Sequence, residues 1–305
     1  MAKIITPAVT ALDEHGKPDY EGNAKIMAFL AKGGVDGVLL LGSTGEFTGL
    51  TRDEKHDYLA WCAAHKPEGI DLYAGTGSLN YEDTVALTRE VAQMGYKAAL
   101  VIGPCYYAIS QEELFTYYDG VAKAVEGAPM FVYNFPARTG HSVAPATLRR
   151  LVEANANILG VKDSVQEPGH TRDLALAVRG LRPGGGFEVY SGFDDQFVNN
   201  QSFGGAGGIG GISNVAPELW SALVAAANTG DYKRVMALQG LVCELMPLYG
   251  AQSNCPLVMK HLMRRRGVDI RESAIFPFDQ VDEETLRFAE GLLDGVLARF
   301  RELED

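Results

Sequence analysis

The sequence predicts an α/β protein, a (β/α)8 TIM barrel with a C-terminal helical extension. Three observations carry that prediction. Eight short apolar runs recur about every 25–35 residues, the period of a strand–helix unit. Most runs are continuously apolar, as parallel strands buried on both faces must be. Amphipathic helical patterns separate them, and the first run lacks the G-x-G-x-x-G that an open dinucleotide-binding sheet would place there.

In order, the runs are KIITPAV (3–9), GVDGVLLLGSTGE (34–46), IDLYAGTGS (70–78), YKAALVIGP (96–104), APMFVYNFP (128–136), NILGVKDS (157–164), FEVYSGFDD (187–195) and AGGIGGISN (206–214). Two of the helices between them open with capping boxes, Thr51-Arg52-Asp53-Glu54 and Ser110-Gln111-Glu112-Glu113. The hydroxyl and the carboxylate three residues later satisfy backbone N–H groups that a first turn leaves without partners. Pro145 and Pro217 open two more, since a fixed φ and a missing N–H cost nothing in a first turn. Beyond Trp220 the strand signal stops and the remainder reads as helices only. The barrel, carrying the reactive groups, is therefore assigned to residues 1–225 and a helical extension packed on it to 226–305.

A formal net charge of −12 over 305 residues argues against nucleic acid and anionic membranes as partners. The four cysteines, Cys62, Cys105, Cys243 and Cys255, are scattered with no C-x-x-C pair, so neither a zinc knuckle nor a disulfide framework is expected. The start, MAKIITPAVTALDEHG, lacks the apolar core of a signal peptide, and no run is long enough to span a bilayer. A cytoplasmic setting follows.

Barrel enzymes carry their reactive groups at the C-terminal ends of strands. Here those ends supply Ser43, Thr44 and Glu46 after the second run, Tyr106 and Tyr107 after the fourth, and Tyr133 and Arg138 at the fifth. The sixth supplies Lys162, and the eighth a glycine run around Ile209. No histidine falls on a strand end: His56, His65 and His261 lie in helical patterns, and His15, His141 and His170 in loops. Glu46 and Asp194 alone make a poor ligand set, so no metal is expected.

Lys162 ends an apolar run. Burial disfavours an ammonium and leaves a neutral amine that attacks a ketone. A neighbouring tyrosine moves protons through the carbinolamine and imine steps. The protonated imine is then the electron sink for a C–C bond β to the imine carbon. Small hydroxyls and backbone N–H groups after the second strand suit the carboxylate of a 2-oxo acid. Each residue also has a plainer reading. Lys162 would serve as a structural ion pair, Tyr133 as a core tyrosine, Gly-Ser-Thr-Gly as an ordinary turn and Arg138 as a surface ion pair. The glycine run reads equally as a phosphate site or as close backbone packing. Convergence decides for chemistry, because separate strands deliver mutually useful groups.

With these motifs in hand, the chain resembles, essentially end to end, the dihydrodipicolinate synthase/N-acetylneuraminate lyase family of pyruvate-dependent class I aldolases. The carriers are GSTGE (42–46), AGTGS (74–78), YNFPARTG (133–140), GVKDS (160–164) and GGAGGIGGISN (204–214). The resemblance implies that Lys162 forms the Schiff base with pyruvate, that Tyr133 is general acid/base, and that Ser43 and Thr44 bind carboxylate, Thr44 also relaying protons. It implies a further relay tyrosine contributed across a subunit interface, a role that an ungapped reading from Pro104 places on Tyr106, with Tyr107 as the alternative. It also implies a backbone contact from Ile209, no cofactor beyond the covalent imine, and a homotetramer built as a dimer of dimers.

Within the family, Ser43-Thr44, Lys162-Asp163-Ser164, GSTGEF and SGFDDQF look like the 2-keto-3-deoxy-gluconate aldolase branch. The expected substrate is accordingly a 2-keto-3-deoxy sugar acid, cleaved to pyruvate and an aldehyde. Arg138 matches instead the synthases that condense pyruvate with aspartate semialdehyde. A keto-deoxy-acid dehydratase and a non-catalytic oxo-acid-binding barrel are the remaining alternatives. Arg52, Lys55 and Cys105 stand where feedback-inhibited synthases carry histidines and a tyrosine, so no lysine effector site is expected.

Overall fold

Every one of the eight apolar runs contains a strand. In the computed structural model, which describes residues 1–304 except Pro183, Gly185, Gln252 and Asn254, these are β1 (Lys3–Pro7), β2 (Gly37–Leu40), β3 (Asp71–Gly75), β4 (Ala98–Ile102), β5 (Met130–Asn134), β6 (Ile158–Asp163), β7 (Glu188–Ser191) and β8 (Gly207–Gly208). They form a closed barrel in chain order, and the paired strands are parallel. All residues of β2 and of β5 are buried, which is what their unbroken apolar character anticipates.

The helices are α1 (Tyr20–Lys32), α2 (Arg52–Ala64), α3 (Tyr81–Gln93), α4 (Gln111–Ala124), α5 (Pro136–Thr139), α6 (Pro145–Ala154), α7 (Pro168–Val178), α8 (Phe197–Ser202), α9 (Pro217–Thr229), α10 (Tyr232–Glu244), α11 (Pro256–Arg265) and α12 (Glu283–Glu304). Both predicted capping boxes form, at Thr51 and at Ser110. Pro145 and Pro217 stand in the first turns of α6 and α9. Residue 225 lies inside α9, and α10, α11 and α12 follow it. Among the described residues no helix is long and apolar enough to cross a membrane.

By their contacts the residues fall into two units. One comprises Met1–Asp71 together with the chain from Gly210 onward; the other is Leu72–Ile209. In the first, Ile4, Ile5, Val38, Leu39, Trp220 and Leu223 are buried. There the end of the glycine run has a structural task. The Asn214 side chain donates to the Pro7 carbonyl at 3.0 Å and accepts from the Val9 N–H at 3.1 Å, fixing the chain as it leaves β1.

In the second unit Phe131 lies between Tyr73 and Tyr190, with ring centroids 6.0 Å away on each side. Gly160 makes room for it. A Cβ there would fall 3.1 Å from the Phe131 ring and 2.6 Å from the Glu188 carbonyl oxygen. The glycine two residues before Lys162 therefore serves packing, at a point where two strands and an aromatic ring crowd together.

Candidate active site

The second unit carries the lysine. Lys162 is the fifth residue of β6, and its Cα pairs across the ladder with that of Tyr133 on β5. Lys162 is 4 % exposed and Tyr133 5 %. The Lys162 Nζ lies 4.4 Å from the centroid of the Tyr133 ring. An amine so placed packs against the face of the tyrosine ring. Two residues fixed in adjacent ladder positions lose little entropy on being held together, which is what an amine and its proton carrier require.

Tyr133 is held from both sides. Its ring stacks on Phe135 at 5.9 Å, and its carbonyl accepts from the buried Tyr118 hydroxyl at 3.4 Å. Beyond Phe135 the chain turns through α5, where Arg138 is exposed with its guanidinium 5.8 Å from the Phe135 ring. His141, read from sequence as a loop residue, donates from Nε2 to the Pro104 carbonyl at 2.6 Å, tying the segments after β4 and β5 together.

One position along the ladder from Lys162 and Tyr133 lie Asp163 and Asn134. The Asn134 Nδ2 donates to Asp163 at 2.7 Å. Asp163 is fully buried and also accepts from Thr171 at 2.7 Å and from His170 Nδ1 at 2.9 Å. The sequence places His170 in a loop; the structure places it in the first turn of α7. Pro168 opens that helix, and it is the signal that would have located His170 correctly. The hydrogen bond to the Asp163 carboxylate raises the His170 pKa above its ordinary value against the opposing effect of burial.

Tyr106 and Tyr107 follow β4 and are 88 % and 79 % exposed, their rings edge to face at 5.0 Å. Tyr106 has φ +84°, a conformation unfavourable for a bulky side chain. Ile209, just past β8, is buried and donates its N–H to the Ser191 carbonyl at 2.9 Å.

In the first unit, Ser43 and Thr44 occupy a tight turn after β2. Gly45 N–H donates to the Gly42 carbonyl at 3.0 Å and Glu46 N–H to the Ser43 carbonyl at 3.2 Å. Leu41 (φ +53°) and Glu46 (φ +56°) bracket this turn in left-handed conformations. Backbone held in such regions tends to lie at functional segments, because surrounding contacts must enforce it. Those contacts are visible. The Thr10 hydroxyl donates to the Gly45 carbonyl at 2.8 Å. The Glu46 carboxylate accepts from the Ile275 N–H at 2.9 Å and from the Lys260 Nζ. Lys260, on α11, is fully buried, and burial holds its pKa below the ordinary lysine value although Glu46 opposes that. Sequence reading singled out Glu46 only as a metal candidate and missed Lys260 altogether. Among the described residues no group of three or more His, Cys, Asp or Glu is placed to hold a metal ion.

The family model described as the Dihydrodipicolinate synthetase family matches residues 1–294. A relative from Escherichia coli K12, named "Putative 2-dehydro-3-deoxy-D-gluconate aldolase YagE", is 31 % identical over 280 residues, covering 92 % of each chain. The crystal structure of YagE in complex with pyruvate superposes with a TM-score of 0.92 at 29 % identity, over 97 % of this chain and 98 % of that one. A 4-hydroxy-tetrahydrodipicolinate synthase from Xanthomonas campestris is 32 % identical over 269 residues, covering 88 % of this chain and 86 % of its own. A barrel with a buried lysine in register with a buried tyrosine, matched along nearly its whole length, belongs to the dihydrodipicolinate synthetase family, and the protein is a pyruvate-dependent class I lyase.

Proposed function

We propose that the chain cleaves a 2-keto-3-deoxy sugar acid to pyruvate and an aldehyde, or runs the reverse addition, through an imine on Lys162. The observation that carries this reading is the buried Lys162 amine 4.4 Å from the Tyr133 ring, on paired residues of adjacent strands. In the cleavage direction the neutral Lys162 amine attacks the substrate's C2 ketone to give a carbinolamine. Loss of water leaves the protonated imine. Tyr133 takes the C4 hydroxyl proton, the C3–C4 bond breaks, and the electron pair flows into the imine to form an enamine. Protonation at C3 and hydrolysis release pyruvate and regenerate the amine. Every electron pair is accommodated by the imine, so the reading needs no metal and no cofactor.

The remaining roles follow from the resemblance. Ser43 and Thr44 hold the pyruvate carboxylate, Thr44 also passing protons, and Ile209 offers a backbone contact. The relay tyrosine is Tyr106 or Tyr107, supplied to a neighbouring subunit. The high exposure and left-handed backbone of Tyr106 support a side chain presented to a partner. We propose a homotetramer, a dimer of dimers, in the cytoplasm, with the helical extension from residue 226 packed on the barrel.

The sugar-acid reading is supported by the motifs after β2, β6 and β7 and by the likeness to YagE. The competing reading, condensation of pyruvate with aspartate semialdehyde, is favoured by Arg138, whose planar fork suits a second carboxylate. Two assays separate them. The purified protein should release pyruvate from 2-keto-3-deoxy-gluconate, and Arg138→Ala should alter that rate by less than about threefold, as for an exposed charge facing hydroxyls. Efficient condensation with aspartate semialdehyde and negligible cleavage would establish the synthase instead. In that case Arg138→Ala should raise the KM for aspartate semialdehyde roughly 10–100-fold, the loss of one charged hydrogen-bonded contact.

A further inference from the structure

We infer that Asp163 is a positioning residue for the imine chemistry: with Asn134, Ser142 and His170 it closes a hydrogen-bonded ring that holds Tyr133 and Lys162 in register. This rests on Lys162 being the imine-forming lysine. The ring can be followed bond by bond. Asn134 Nδ2 donates to Asp163 Oδ1 at 2.7 Å and to the Ser142 hydroxyl oxygen at 3.2 Å. His170 bridges the other side, with Nδ1 2.9 Å from Asp163 Oδ2 and Nε2 3.1 Å from the same Ser142 hydroxyl. Asn134 Oδ1 accepts the Val143 N–H at 2.9 Å, and Thr171 donates to Asp163 Oδ2 at 2.7 Å. Six chain positions on β5, the following loop, β6 and α7 are thereby joined through one carboxylate and one amide.

Placement gives the ring its role. Asn134 and Asp163 are Cα partners immediately after the Tyr133–Lys162 pair. Successive strand residues point to opposite faces. The ring therefore lies directly behind the reacting pair, and it is tied again by the Ser164 N–H donating to the Asn134 carbonyl at 2.8 Å. A one-residue slip of β6 against β5 would separate Asn134 from Asp163 and Ser142 from His170, the two bonds that cross between the strands' segments, so the ring locks the alignment of amine and tyrosine. The Asp163 carboxylate lies on the face opposite the amine, where His170 holds it. Asp173, further along α7, is the other charge acting on His170, and Tyr133 and Tyr190 are the titratable residues in register with Lys162 on β5 and β7.

Asp163→Asn is nearly isosteric, but it sets its amide against the Asn134 amide, two donors facing each other. The variant should lower kcat per borohydride-trapped site at least about tenfold while the KM for pyruvate changes less than about threefold. The exchange Asn134→Asp/Asp163→Asn again sets a donor against an acceptor between the two positions, with the roles swapped. It should restore kcat per site to within about threefold of wild type. A merely structural network would reduce the number of trappable sites and leave turnover per site unchanged; that result, or a swap as impaired as the single variant, overturns the inference. Should Asp163→Asn fail to fold, His170→Gln decides: a several-fold loss per trapped site supports the ring, and wild-type turnover overturns it. Wild-type protein that traps no pyruvate on Lys162 is a separate failure, that of the imine reading itself.

Discussion

Lys260→Met should lower the melting temperature by about 5–8 °C, corresponding to about 3–5 kcal/mol, the cost of breaking a buried ion pair by removing one member. Lys260 is fully buried and reaches Glu46, whose side chain is 2 % exposed. The Ile275 N–H supplies a neutral hydrogen bond to the same carboxylate. Methionine would fill the volume yet leave the Glu46 carboxylate buried without its cation. The Lys260 Nζ also donates to the Ser273 carbonyl at 2.6 Å, so the same substitution releases the 273–275 segment. A second substitution, Glu46→Gln, should recover part of the loss, because a neutral amide needs no counter-charge. Thermal unfolding of both variants checks this, and a single variant within about 1 kcal/mol of wild type would mean the pair contributes little. The pair also grips the residue that ends the Ser43–Thr44 turn. At temperatures where the variant is folded, its KM for pyruvate should rise.

Tyr133→Phe should reduce kcat roughly 10²–10⁴-fold, the range for losing a general acid–base group, with a much smaller change in the KM for pyruvate. Phenylalanine keeps the stacking on Phe135 and the ring beside Lys162, so packing is preserved and only the hydroxyl is lost. Steady-state kinetics on the purified variant provide the check. A normal kcat would assign the proton transfers to another group.

How far the sequence reveals this molecule depends on the range of the interaction. The strands were legible because burial on both faces leaves unbroken apolar runs, and β2 and β5 are buried throughout. Even β8, two glycines long, lay within a recognisable run. Capping boxes were legible because they are local, a hydroxyl and a carboxylate three residues apart. Lys162 stood out because a charge at the end of an apolar run conflicts with the cost of burying it. Contacts between distant segments left no such mark. Glu46 and Lys260 are 214 positions apart, and nothing in either neighbourhood announces the other. His170 is only 7 positions from Asp163, but their bond exists because β6 and α7 fold back on each other, a geometry that periodicity does not encode. The division of the chain at Leu72 and Ile209 was likewise hidden, since every strand–helix unit looks alike in sequence.

The central claim is that Lys162 is the amine. Incubating the protein with pyruvate and sodium borohydride should reduce the imine to a stable secondary amine, and peptide mass spectrometry should locate the adduct on the peptide containing Lys162. Activity should fall in proportion to labelling. Lys162→Arg should give no adduct, because a guanidinium stays protonated and cannot attack the ketone. A pyruvate adduct on another lysine, or full activity after borohydride treatment with no adduct formed, would contradict the account.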